Sequence, residues 1–177
     1  MILITNLETL LEAVRAGESV EYIFFWSGCL SNWYPAKFTA EGVQYATTEQ
    51  YYMAHKARVF NDSRSLKKIL RIVDPREAKM LGRKIKGFDV NVWKEHRENI
   101  MIAGNMSKFL QNIKLKKYLI STGEKVLVEA SPYDQIWGIG MGEGTATIKD
   151  PTTWRGLNLL GFCLMNVRRR LQANGEV

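Results

Sequence analysis

From Thr48 to about residue 120 the sequence reads as one helix after another, with no window suited to a strand. Thr47 followed by Gln50 has capping-box spacing, in which the Thr hydroxyl and the Gln side chain satisfy backbone donors at a helix start. This predicts a helix over 48–58. "DSRSLKKILRI" (62–72) has the pattern of a basic amphipathic helix. In "DPREAKMLGR", Asp74 is the N-cap, Pro75 takes the first helical position, Glu77 completes a capping box and Gly82 is the stop. A long helix over 91–111 and a short one near 114–120 follow. Outside this run, helices are expected at 6–16, stopping at Gly17, and at 155–173, with Leu157, Leu160, Leu164, Val167 and Leu171 on the apolar face. Strands are confined to 20–26, to two short runs within 37–45 around Glu41-Gly42, and to 126–131. Residues 132–153 form a long Gly-rich loop. About half helix with a few short strands is a helix-rich α+β fold. No linker, repeat or low-complexity segment divides the chain, so residues 1–177 are expected to be one domain.

The chain has 177 residues, 46% of them hydrophobic, with five Trp, seven Tyr and seven Phe. That is enough to bury a core and to supply rings for stacking. The net charge of +7 favours anionic partners such as nucleotides, sugar phosphates or nucleic acid, without choosing among them. Two cysteines, Cys29 and Cys163, are too few for a disulfide scaffold and read as buried, reduced thiols. The first residues lack a basic segment followed by a long apolar one, so no signal peptide is expected. No apolar run approaches the ~20 residues that cross a membrane. The expectation is a soluble, cytoplasmic protein with no membrane association.

Chemistry-bearing residues gather in three places. In "YATTEQYYMAHKA" (45–57), ~100° per residue puts Glu49, Tyr52, Met53 and Lys56 on one helix face and Tyr51, His55 and Arg58 on the other. Glu49 and Lys56 are then roughly 10 Å apart along the axis, far for an ion pair but suited to flanking a sugar. The plainer reading is a first-turn Glu favoured by the helix dipole and a Lys snorkelling at the other end. On these residues alone both stay open. In the long helix, Val92, His96, Ile100, Ala103 and Leu110 make the expected core face, with Trp93, Arg97, Gly104 and Lys108 on an adjacent stripe. Mid-helix Gly costs up to ~1 kcal/mol relative to Ala, so Gly104 implies close packing or room for a ligand. In "SPYDQIWGIG", Asp134 and Trp137 open a loop with glycines in alternation, a pattern suited to sugar binding. The alternation fits no dinucleotide fingerprint. Two His on different helices and no Cys-x-x-Cys leave a metal site without ligands, and nothing pairs either Cys with a His.

The segments "LSNWYPAKFTAEGVQYATTEQYYMAHKA", "PREAKMLGR", Trp93 before "ENIM", "KFLQN", "LISTG", "LVEASPYDQIWGIG" and "GLNLLGFCLMNVRRRL" resemble, in this order, the NADAR (YbiA-like) N-glycosidase family. The resemblance covers about 22–171 and leaves 1–20 as an N-terminal helical extension. It implies cleavage of the N-glycosidic bond between ribose and a base. Substrates in the family are ribosylamino-pyrimidine phosphates of riboflavin synthesis or ADP-ribose attached to guanine. The resemblance puts Glu49, Lys56, Trp93, Asp134 and Trp137 in the pocket. The expected catalytic set is Glu49, Lys56 and Asp134. The expected substrate contacts are Asn32, Tyr52, Arg83, Trp93, Lys108, Trp137, Gly138 and Asn158. No metal and no cofactor is expected, and the partner is a ribosylated base or nucleotide, free or in DNA. These residue types suit the chemistry. A carboxylate stabilises oxocarbenium character at the anomeric carbon, and a desolvated amine can attack it and hold the sugar as a Schiff base. The rival reading is a non-catalytic nucleotide or nucleic-acid binding module using "RSLKKILR" and "VRRRL" as basic surfaces.

Overall fold

Side-chain caps fix where the helices begin, and the helix order gives the fold. In the computed structural model, which describes residues 2–173, the elements run α1 (Leu7–Arg15), β1 (Tyr22–Phe25), β2 (Phe38–Ala40), β3 (Val43–Tyr45), α2 (Thr48–Val59), α3 (Ser63–Ile69), α4 (Pro75–Gly82), α5 (Val90–Gln111), α6 (Ile113–Ser121), β4 (Val126–Glu129), a 3-10 turn at Pro151–Thr153 and α7 (Leu159–Ala173). This is the expected helix-rich α+β fold. No helix among the described residues is long and apolar enough to cross a membrane. Thr47 Oγ1 accepts from Gln50 N at 3.1 Å, as its spacing predicts. The reciprocal bond goes one residue further back than expected, from Ala46 N to Gln50 Oε1 at 2.7 Å. Asp74 caps α4 by accepting from Arg76 N at 2.7 Å.

The chain forms two compact units: residues up to Ser31 together with those from Lys117 onward, and Asn32–Lys116. In the first, β1 and β4 pair in parallel, with Tyr22 opposite Val126 and Phe25 opposite Glu129. Val126, Leu127 and Val128 are all buried. α7 packs on β4 through Gly161, where any Cβ would overlap the Leu127 carbonyl. Arg168 is buried on the same helix. Its Nη1 donates to Thr122 Oγ1 at 2.7 Å and to the Lys125 carbonyl at 2.9 Å, as a buried cation requires. α7 starts at Leu159, four residues later than expected. The N–H groups of Arg155, Leu157 and Asn158 bond instead to the carbonyls of Ile139, Gln135 and Gly138, and those of Leu159 and Leu160 to Ile136 and Trp137. The "DQIWGIG" segment thus supplies acceptors for the orphan donors of α7's first turn. Leu157 falls outside the helix and is exposed, while Leu160, Leu164, Val167 and Leu171 are buried.

In the second unit β2 and β3 form an antiparallel hairpin. Its two-residue loop, Glu41 (φ 52°) and Gly42 (φ 75°), has the paired positive φ values that match strand twist. α2 lies at the centre, packed by α3, α4 and α5. Every residue from Thr48 to Ala54 is buried, so α2 has no solvated face in its first two turns. α5 corrects the sequence reading. Val92, His96 and Leu110 are exposed, and the buried residues are Trp93, Met101, Gly104, Asn105, Lys108 and Phe109. The adjacent stripe, through Trp93, Gly104 and Lys108, belongs to the core face. Gly104 shows why: an added Cβ would stand 2.5 Å from Tyr51 Cδ1. Close packing of α5 on α2, not ligand room, is what its missing side chain permits.

Candidate active site

α2 places Glu49, Tyr52, Met53 and Lys56 on one face, as the helical period demands. Gly82 lets the last turn of α4 come against that face, because a Cβ there would overlap Met53 Sδ. Gly82 is therefore a packing residue inside α4 as well as its end. Lys56 Nζ donates to the Gly82 carbonyl at 3.0 Å, a carbonyl the helix itself leaves without a partner. The ammonium lies 4.0 Å from the Phe88 ring centroid and 5.7 Å from that of Trp93. Burial lowers the pKa of Lys56 from its ordinary value of 10.5, and Glu49 partly offsets that shift. The carbonyl and the rings also favour the charged form, yet the desolvation of a half-buried amine dominates. Glu49 itself is only 5% exposed.

The backbone around Glu49 is tied to a buried polar network. Glu49 N donates to the Asn32 carbonyl at 3.0 Å. The Asn32 amide donates to Met101 Sδ at 3.2 Å, and Asn105 Nδ2 donates to the Met101 carbonyl at 3.1 Å and to Asn32 Oδ1 at 3.4 Å. Tyr52 packs on Trp93 with ring centroids 5.0 Å apart. On the opposite side of α2, His55 lies against the Tyr51 ring at 4.1 Å. Burial and then Arg58 lower its pKa, against the pull of Glu41.

In the other unit, the Asp134 carboxylate organises its own turn. Oδ1 accepts from Trp137 N at 2.8 Å and from Ile136 N at 3.0 Å. A Cβ on Gly138 would meet the carbonyl oxygens of Glu129 and Asp134 at 2.8 and 2.9 Å. Asn158, in the left-handed region at φ 53°, accepts from Glu129 N at 3.0 Å and donates to the Leu127 carbonyl at 2.9 Å.

Compared with known proteins, residues 24–172 match the model of the NADAR domain. The chain belongs to the NADAR family. It is 39% identical over 168 residues to "N-glycosidase R617" of Acanthamoeba polyphaga mimivirus, a match covering 88% of this chain and 99% of that one. It is 35% identical over 164 residues to "Riboflavin biosynthesis protein VVA0006" of Vibrio vulnificus, covering 90% of this chain but 41% of that longer protein. The NMR structure of the Escherichia coli protein YbiA superimposes with a TM-score of 0.73 at 28% identity, covering 88% of this chain and 87% of that chain.

Within this NADAR chain, the Asn32–Lys116 unit brings together Glu49, Lys56, Tyr52 and Trp93, with Asn32 behind Glu49. Arg83 caps the end of α4 and is exposed. Lys108 is wholly buried, its Nζ 5.1 Å from the Phe109 ring centroid and 5.9 Å from that of Tyr34. Asp134, Trp137, Gly138 and Asn158 belong to the other unit. Two of these have a structural role. Both ends of the Asn158 amide are engaged by the β4 backbone, so it anchors the loop to the sheet. Gly138 has no room for a side chain because the backbone of Glu129 and Asp134 approaches it. Sequence reasoning missed Phe88, Asn105 and Met101. Only Asn105, a polar residue four positions after Met101 on a long helix, carried a local signal. Among the described residues no three His, Cys, Asp or Glu side chains gather as metal ligands.

Proposed function

We propose that this chain is an N-glycosidase that hydrolyses the bond between ribose C1′ and the nitrogen of a base, with Glu49 and Lys56 as its catalytic pair. The observation that carries this reading is Lys56. It is an amine with a depressed pKa, held at a fixed point by the Gly82 carbonyl, on the helix face that carries a buried carboxylate. Glu49 stabilises positive charge at C1′ as the C–N bond breaks and its electron pair moves to the base nitrogen, which takes up a proton. The neutral Lys56 amine forms a bond to C1′, and opening of the sugar ring, with protonation of the ring oxygen, leaves an imine. Water adds at C1′, freeing the sugar and regenerating the amine. Asp134 is proposed to carry protons. Asp134→Asn keeps an oxygen acceptor for the Ile136 and Trp137 N–H groups and so tests that role without dismantling the turn. We propose two substrate classes: ribosylamino-pyrimidine phosphates, which the name of the Vibrio vulnificus relative supports, and ADP-ribose on guanine, free or in DNA. We place the protein in the cytoplasm.

Incubating the protein separately with ADP-ribosyl-guanine DNA and with a ribosylamino-pyrimidine phosphate, and following released sugar by mass spectrometry, tests the activity and selects the substrate. Borohydride added during turnover should trap the sugar on Lys56. Lys56→Arg should keep the fold and lose turnover, since a guanidinium stays protonated and is no nucleophile. Near-normal turnover by Lys56→Arg with no adduct would reduce Lys56 to a substrate-positioning group. The exposed cations Arg64, Lys67, Lys68 and Arg71 recur at i, i+3, i+4 and i+7 and favour a second reading, a phosphate-binding module without turnover. Salt-sensitive binding with no sugar released from either substrate would establish it.

A further inference from the structure

A groove of about 570 Å³ opens at the start of α2 and α4, away from Lys56. Its walls include Trp33, Pro35, Thr47, Val73, Pro75 and Arg76. The volume lies within the usual range for small-molecule sites, roughly 300–1,000 Å³. Two prolines with fixed φ stiffen its rim. Its apolar surface is unusually open for residues of this kind: Trp33 is 36% exposed and Val73 71%. One cationic group stands beside the indole and a second lines the groove. Lys79 Nζ lies 5.8 Å from the Trp33 ring centroid, and Arg76, one turn earlier on the same face of α4, lines the groove itself. One acid is present as well, Asp74. Its Oδ1 accepts from Arg76 N at the start of α4, which puts the favourable side for an anion toward Lys79.

An aromatic plate with one cation at its ring and a second in the groove wall has the chemistry to hold a planar ring that carries a phosphate. We propose that this groove is a nucleoside-phosphate subsite, with Trp33 stacking the ring and Arg76 and Lys79 meeting the phosphate. Its position gives it a use. α2 and α4 lie side by side with their starts at the groove and Lys56 bonded to Gly82 at the other end. Thr47 and Lys56 are nine residues apart, about 13 Å along the helix at 1.5 Å per residue. A substrate with a reactive ribose at Glu49 and Lys56 could therefore lay a second, phosphate-linked nucleoside along the same seam. This use rests on the glycosidase reading, whereas the subsite itself does not.

Adenosine 5′-monophosphate is the probe. Calorimetry should detect its binding to the intact protein. The Trp33 indole N–H resonance, identified by its loss in Trp33→Phe, should shift on titration. Trp33→Ala should weaken binding about tenfold or more, in line with base–aromatic stacking, and Trp33→Phe should restore it to within about threefold. Changing Arg76 and Lys79 together to Gln should weaken the monophosphate about tenfold and leave adenosine unaffected. Glu49→Gln and Lys56→Arg should leave this binding within about twofold whatever they do to turnover, so failure of the catalytic assignment and failure of the subsite are read separately. Competition between the monophosphate and a ribosylated substrate assigns the groove to the distal half of that substrate. Binding that leaves the substrate KM unchanged assigns it to a separate nucleotide. If Trp33→Ala fails to fold, the indole shift in the unaltered protein decides alone. An indole resonance unmoved at saturating monophosphate, or a folded Trp33→Ala that binds as tightly as before, would overturn the proposal.

Discussion

Gly104→Ala sets two known effects against each other, and the structure says which wins. In the interior of α5, Ala is favoured over Gly by about 0.8–1.0 kcal/mol. The added methyl, however, would stand 2.5 Å from Tyr51 Cδ1 and 2.8 Å from Cε1, well inside van der Waals contact. Tyr51 cannot easily yield. Its ring is held by Phe38 at 5.8 Å, Tyr45 at 5.1 Å and His55 at 4.1 Å between centroids. Overpacking of a filled core costs typically ~1–3 kcal/mol, and a clamped ring belongs in the upper half of that span. The net expectation is a loss of about 1–2 kcal/mol. For a chain of this size that lowers Tm by roughly 2–8 °C. Gly82→Ala is the internal control. Its added methyl meets Met53 Sδ and Cγ, part of an unbranched side chain that adapts more readily than a clamped ring, so the loss should be smaller. Thermal and urea unfolding of the three proteins measures both. Combining Gly104→Ala with Tyr51→Leu should cost less than the sum of the single changes, because the second removes the obstacle to the first. If Gly104→Ala raises Tm, α5 does not need the close approach and the packing argument is wrong.

Three further outcomes follow from named groups. Because burial lowers the Lys56 pKa and Glu49 pulls it back up, the amine should lose its proton below the ordinary lysine range, and the neutral form should rise with pH there. Glu49→Gln removes the opposing influence and should move that titration still lower, read by NMR of the lysine side chain; a shift upward would deny the interaction. Asp62 accepts from Ser65 N, Ser65 Oγ and Lys86 N, which hold its pKa down from 3.8 to about 2. A depressed carboxylate stabilises the fold above its unfolded pKa and loses that contribution as pH falls through the folded one. The stability gap between the wild type and Asp62→Asn should therefore be full above about pH 4 and close toward pH 2, and a gap that is constant with pH would refute it. Trp93 is nearly buried between Tyr52 and Phe60, so Trp93→Ala should destabilise by about 3–5 kcal/mol. A variant of unchanged Tm that has lost only substrate affinity would show that Trp93 contacts substrate and does not hold the fold.

Much of the fold was legible because its signals are local. Thr47 and Asp74 cap the helices their spacing indicates, and Glu41-Gly42 turns the hairpin where the strands were expected. The misses share a cause: the deciding partner is distant in sequence. α7 begins late because its first N–H groups and those just before it find acceptors some twenty residues earlier, in 135–139. The buried face of α5 was misjudged by hydrophobicity because Gly104, Asn105 and Lys108 are polar or small. What buries them is the tyrosine face of α2 and the Asn32–Met101 contact, neither of which the helix's own composition reveals. Gly82 reads as a stop signal, and the structure adds a packing reason that depends on Met53.

The candidate site divides the same way. That Glu49 and Lys56 share a face follows from 3.6 residues per turn. That the face is closed, and that the amine on it is depressed in pKa, does not. Those properties come from Gly82, Phe88 and Trp93, which lie 26 to 37 positions further along the chain. The Gly82 carbonyl and the aromatic rings hold the charged amine in place, while burial makes that charge costly. Two opposed influences of this kind leave a lysine positioned as an ammonium with its pKa below the ordinary value. A freely solvated lysine would remain protonated and poorly placed. A lysine buried with no acceptor would be neutral but loose. The combination requires a helix end, with its unpartnered carbonyl, brought against the middle of another helix, and the absence of a side chain at Gly82 is what permits that approach.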